Sequence, residues 1–150
     1  MATVEVAFTP LPAHVRTARL VATAVARRSG VDEELLDEVR LAVGEACSRA
    51  VEAHRRHCPA EPVRIEMTDL GERFEVIVRD SVPSAPAPNG ASAASATPGS
   101  GQAGFAGSES TISGFGLAVI SGLADDVRIS ATGSGVSVRM TWPATLGADA

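Results

Sequence analysis

The stretch Glu34–His57, ELLDEVRLAVGEACSRAVEAHRRH, decides the architecture of this chain, because it is the longest segment with an unbroken helical period. Leu36, Val39, Val43, Ala46, Cys47, Ala50 and His54 recur at steps of three and four, which places them on one stripe of a helix about five turns long. Asp32 stands where an N-cap is required. Glu38, Glu45, Arg49 and Glu52 form a polar line on the other side. Glu45 and Arg49 are four apart in the favourable acid-before-base order, which reads as an intrahelical ion pair contributing about 0.2–0.5 kcal/mol. A helix with one apolar stripe has to cover something, and the flanking segments supply it.

Upstream, Val4, Val6 and Phe8 alternate with Thr3, Glu5 and Ala7, the pattern of a half-buried strand that ends at Pro10 and Pro12. From Ala13 to Ser29 the period turns helical, with Val15, Ala18, Ala22 and Val25 as its buried stripe and Gly30 as its C-terminal cap. This helix carries Arg16, Arg19, Arg27 and Arg28 and no acid, a local basic patch that reads first as solubility with two arginines favoured by the helix dipole, and otherwise as a docking face for an acidic partner. Downstream of Pro59 and Pro62, two period-two strands follow: Val63, Ile65 and Met67 alternate with polar residues, as do Phe74, Val76 and Val78 across a turn at Asp69–Gly71. Asp80 has the parity of Phe74, Val76 and Val78, so the pleat directs its carboxylate to the covered face, where an unpaired charge is costly.

Residues 81–113 are mostly Ala, Ser, Gly and Pro, with Glu109 the only charge and Phe105 the only aromatic, which predicts a disordered or mobile loop that reads as an inert linker. Gly114, Gly116 and Leu117 then open a helix that includes Ile120 and Ala124; glycines at a helix start expose backbone N–H groups to an anion. Val127, Ile129 and Ala131, a Thr132–Gly135 turn, and Val136, Val138, Met140 and Trp142 complete a hairpin with one apolar face. The order of elements predicts an α/β two-layer sandwich, with a mostly antiparallel sheet of about five strands covered on one face by three helices.

At 150 residues and 45% hydrophobic, the chain is expected to form a single domain over residues 1–150. Its net charge of -5 argues against general nucleic-acid binding. No apolar run approaches the roughly 18 residues of a spanning helix, and the N-terminus lacks a signal layout, so a cytoplasmic location is expected. Cys47 and Cys58 are too few for a zinc site and read as reduced thiols. All 13 basic residues are arginine, which excludes a lysine-dependent phosphate loop.

The string AVGEACSRAVEAH resembles the N-box helix of the GHKL ATPase and kinase superfamily, and within it the anti-sigma factor serine kinases of bacteria. The resemblance implies a GHKL fold, ATP with magnesium as cofactor, a sigma factor and an anti-sigma-factor antagonist as partners, and a homodimer, for which Val4, Val6 and Phe8 offer an apolar edge strand. It places Glu45 on the family's catalytic base, Arg49 on the asparagine that holds magnesium, and Asp80 on the aspartate that accepts the adenine amino group. Gly114, Gly116 and Leu117 fall on its phosphate-facing glycine box, residues 81–113 on its ATP lid, and Arg16 and Arg19 in its partner-contact region. Two positions depart from the pattern. Arginine has five donors and no acceptor, so Arg49 cannot ligate a cation. Where the family continues Asp-any-Gly this chain has Asp80-Ser81-Val82, which brings two methyls toward the adenine space. The expected function is an anti-sigma-type regulatory module with weak or lost ATP binding, no metal site and little kinase activity; the alternative is an active serine/threonine kinase acting on the antagonist.

Overall fold

The computed structural model describes residues 2–83 and 120–145. Strand β1 (Ala2–Phe8) is followed by helices α1 (Pro12–Arg28) and α2 (Glu33–His57), then by β2 (Val63–Asp69), β3 (Arg73–Arg79), β4 (Asp126–Thr132) and β5 (Gly135–Pro143). Residues 120–123 are helical as well. The sheet order is β1-β2-β3-β5-β4, and every neighbouring pair is antiparallel. The expected α/β sandwich is therefore observed.

The register explains the single core. Phe8, Val6 and Val4 stand opposite Val63, Ile65 and Met67. Ile65 and Met67 in turn face Val78 and Val76, which face Val138 and Met140, while Phe74 faces Trp142. These residues share one parity and so one face of the sheet, and those of β2, β3 and β5 are all buried. Helix α2 packs on β2, β3 and β5, and α1 packs on α2 and β2. Every residue of the apolar stripe from Leu36 to His54 is buried. Small side chains at Ala18, Ala22 and Ala26 on α1, and at Ala42, Ala46 and Ala50 on α2, permit a close approach of the two helices. Burying each large side chain such as Trp142 or Phe74 contributes about 2–3 kcal/mol.

Local chemistry sets the ends. Pro12 begins α1 rather than merely ending β1, since its fixed φ suits a first helical position and no N–H is needed there. At the other end Gly30 takes φ +93, and its carbonyl accepts from the Thr145 N–H at 2.8 Å, tying the segment after β5 to the α1–α2 junction. Asp32 caps α2 by accepting from the Glu34 N–H at 3.1 Å. The hairpin of β2 and β3 closes where Asp69 accepts from the Gly71 N–H at 2.9 Å.

The apolar face expected for β4 is covered only in part: Val127 is half-buried, whereas Ile129 is 46% exposed. The strand lies at the sheet edge and has a neighbour on one side only. The opposite face of the sheet is polar and laced with pairs such as Arg139–Glu75 at 2.8 Å and Arg79–Glu66 at 3.0 Å. These pairs are partly exposed, so each contributes at most about 1 kcal/mol.

Candidate functional site

Helix α2 sends two polar side chains to the point where the chain leaves β3. Arg49 Nη2 donates to Asp80 Oδ2, and the side chains of Arg49 and Asp80 are 18% and 1% exposed. The other carboxylate oxygen accepts from the Val82 N–H at 2.9 Å and from the Val136 N–H at 3.1 Å. Asp80 also bonds Val136 through its own backbone, N–H to carbonyl at 2.9 Å. Strand parity buries this carboxylate, and a buried charge persists only when paired and hydrogen-bonded. Both conditions are met within the chain.

One turn further on, His54 is fully buried. Its Nε2 lies 2.8 Å from the Ser81 nitrogen and its Nδ1 2.8 Å from the Glu61 carbonyl oxygen. A backbone N–H can only donate and a carbonyl can only accept, so Nε2 is the acceptor and Nδ1 carries the proton. The ring thereby links the turn after α2 to the segment after β3. From the sheet side, Gly135 (φ +145) lets β5 press against the same segment; a Cβ there would sit 2.0 Å from the Asp80 carbonyl oxygen. The half-buried Cys58 lies nearby, its thiol pushed up by burial and then by the charges of Glu61 and Asp80.

The expected site residues are placed as follows. Glu45 is exposed and has no ion-pair partner among the described residues. The Glu45–Arg49 pair expected from helix spacing does not form, because Arg49 is turned toward Asp80. An exposed pair of that kind is worth only a few tenths of a kcal/mol, whereas a buried carboxylate left alone costs several. Arg49 is therefore half-buried rather than part of a solvated polar line. Gly114, Gly116, Leu117 and residues 84–113 of the expected lid lie outside the described residues.

Arg16 is exposed on α1, as a docking residue requires. Arg19 is not a simple rim charge. Its stem runs over Gly44 of α2, where an added Cβ would lie 2.9 Å from the arginine Cδ, and its Nε is buried without a hydrogen-bond partner among the described residues. The neighbouring Cys47 thiol is pushed up to about 12 by burial, with the Arg19 charge acting in the opposite direction. Helix-wheel reasoning missed this because a long arginine stem can cover apolar surface while its charge stays near the rim. The roles of His54 and Gly135 were also beyond it; His54 reads as a core position, and glycine beside a turn is unremarkable.

Three donors already engage the Asp80 carboxylate: Arg49 on Oδ2 and two backbone N–H groups on Oδ1. An adenine amino group would have to share Oδ2 with Arg49, and Arg49 offers no lone pair to a cation. Among the described residues no group of three or more His, Cys, Asp or Glu side chains is placed to hold a metal ion. The side chains here do not fit a magnesium nucleotide held through these two positions.

The two-layer fold, with a long helix facing the end of a central strand, is that of the GHKL-type ATPases. The Histidine kinase-like ATPase domain family matches residues 8–142, and the chain belongs to this family. Among solved structures it is similar to the crystal structure of the RsbU and RsbW domains of Rv1364c from Mycobacterium tuberculosis, with a TM-score of 0.65 and 15% sequence identity. That likeness covers 97% of this chain and 34% of the other, so this chain spans about a third of that structure's length. No curated protein matches the chain.

Proposed function

We propose that the protein is an anti-sigma-type regulatory module that binds a sigma factor, an anti-sigma-factor antagonist or both, and that its nucleotide chemistry is weak or lost. The observation that carries this reading is the Arg49–Asp80 pair, which joins two positions that a working site would need free for metal and adenine. The arginine guanidinium can still neutralise a phosphate, so weak magnesium-independent nucleotide binding is compatible with it, while efficient phosphoryl transfer is not.

Titration calorimetry with ATP, with and without magnesium, tests the reading on the wild type and on Arg49→Asn. The wild type should show no magnesium-dependent binding, and the asparagine variant should gain it. Micromolar, magnesium-dependent affinity in the wild type would restore the second reading, an active serine/threonine kinase acting on the antagonist. One observation favours that alternative: Glu45, at the family's base position, is exposed and unpaired among the described residues.

Partner binding needs no ATP. Arg16 is the better-placed contact, and Arg16→Glu should slow association in a salt-dependent way, since exposed charges act mainly on the encounter rate. Arg19→Glu should add a loss of stability because its stem packs between the helices. A homodimer, working in the cytoplasm, belongs to the same reading; it rests on β1, an edge strand with Val4 38% exposed. A strict monomer in light scattering at tens of micromolar would remove the dimer. No helix among the described residues is long and apolar enough to cross a membrane.

A further inference from the structure

On the sheet face turned away from the helices, where β2, β3 and the β4–β5 turn meet, lies a cavity of about 390 Å³. Arg64, Arg79, Ser81, Thr132, Ser134 and Ser137 line it, together with Asp80 and the first residues of β5. Its chemistry is unlike the rest of an acidic protein. Arg64 and Arg79 are Cα partners, and Arg79 is also the partner of Ser137, so the three side chains form a row across adjacent strands. Neighbouring strands lie about 4.8 Å apart, which brings the two guanidinium stems side by side. Like charges directly opposite one another oppose strand pairing.

The acids nearby do not cancel this charge. Glu66 bonds Arg79 at 3.0 Å. The Asp80 carboxylate is taken up by Arg49 on the helix side and by the N–H groups of Val82 and Val136. Arg64 has no ion-pair partner among the described residues. Glu66 is thus matched by Arg79 and Asp80 by Arg49, and Glu5, the strand neighbour of Glu66, forms no ion pair with Arg64, which is left to face the cavity beside Ser81 and Ser137. The Thr132 and Ser134 hydroxyls bond each other at 3.0 Å and close the turn side.

We infer that this cavity is a binding site for the phosphate group of a small phosphate monoester, held by the Arg64 and Arg79 guanidinium groups with the Ser81 and Ser137 hydroxyls as additional donors. Guanidinium forks match phosphate oxygens bidentately, and a phosphate dianion, with its larger charge and additional oxygens, can engage two of them at once. The volume falls within the range of small-molecule pockets, leaving room for a body attached to the phosphate. The cavity adjoins the Arg49–Asp80 position through Asp80, but the two arginines that would hold the phosphate, Arg64 and Arg79, take no part in that pair.

Calorimetry with inorganic phosphate, ribose 5-phosphate, ribose and acetate tests the inference on the full chain. Both phosphate probes should bind, the ester more tightly, and ribose and acetate should not. Arg64→Gln and Arg79→Gln should each weaken ribose 5-phosphate roughly tenfold or more, the loss expected when a charge-assisted bond is removed. Arg128→Gln, which removes a charge outside the cavity, should leave affinity unchanged. Arg64→Lys keeps the charge without the fork and should fall between; it serves if a glutamine variant is unstable. Equal affinity in Arg64→Gln, Arg79→Gln and wild type, acetate binding as well as phosphate, or no binding of either phosphate probe at millimolar concentration would each overturn the assignment.

Discussion

Replacing Arg49 by methionine keeps most of the side-chain volume and removes the charge that faces Asp80. The carboxylate is then left 1% exposed with only the Val82 and Val136 N–H groups for support. Breaking a fully buried pair costs about 3–5 kcal/mol. The two remaining donors and the partial exposure of Arg49 lower the expectation to about 2–4 kcal/mol, since a hydrogen bond to a charged group accounts for roughly 1.5–3 of it. For a chain of 150 residues this is a fall in Tm of about 5–15 °C. Asp80→Asn should cost less, about 1–2 kcal/mol, because the amide oxygen can still accept from both N–H groups and the arginine can swing toward water. The single tryptophan, Trp142, is buried, and its Nε1 donates to the Leu123 carbonyl at 2.9 Å. Its fluorescence during urea unfolding therefore reports the core directly, and the double variant completes a coupling cycle. A methionine variant within about 0.5 kcal/mol of wild type, or an asparagine variant the more damaged of the two, would refute the reasoning.

Three further outcomes are expected. His54→Phe removes the bonds to the Glu61 carbonyl and the Ser81 N–H, both part-buried, and should cost about 1–3 kcal/mol by urea denaturation. Gly135→Ala should cost about 2–4 kcal/mol, since the new Cβ meets the Asp80 carbonyl and φ is +145, whereas Gly71→Ala, at φ +95 with open space around it, should cost about 1 kcal/mol. A thiol reagent at neutral pH should titrate Cys58 and spare Cys47 until the chain unfolds. Because the folded Cys47 pKa is raised from 9.0 to about 12, the unfolded chain gives up that proton first as pH rises. Stability present below pH 9 should therefore fall between pH 9 and 12, and Cys47→Ala should flatten that fall in pH-dependent denaturation.

The secondary structure and the faces of the elements were legible because periodicity is local. Residues three and four apart must share a helix face, and alternate residues must share a strand face, whatever surrounds them. From this the Leu36–His54 stripe, the alternate residues buried in β2 and β3, and the burial of Asp80 followed. The end of α1 and the start of α2 were legible for the same reason, through Gly30 and Asp32, whereas Pro12, read as the end of a strand, proved to begin α1.

What the buried groups bond to was decided only by the tertiary structure. Spacing offered Arg49 a partner four residues away in Glu45, yet its partner is Asp80, 31 residues on and on another element. The choice follows from burial: a carboxylate held out of water by strand parity gains far more from a guanidinium than an exposed one does. The same holds for His54, a core position on the helix stripe that bonds both Glu61 and Ser81, and for Arg19, whose stem lies over Gly44. The meeting of Arg64, Arg79 and Ser137 likewise depends on the register of three strands, one of which lies more than fifty residues further along the chain. A sequence states which face each residue occupies; which faces meet depends on how the chain closes, and that closure is a balance of core burial over all elements at once.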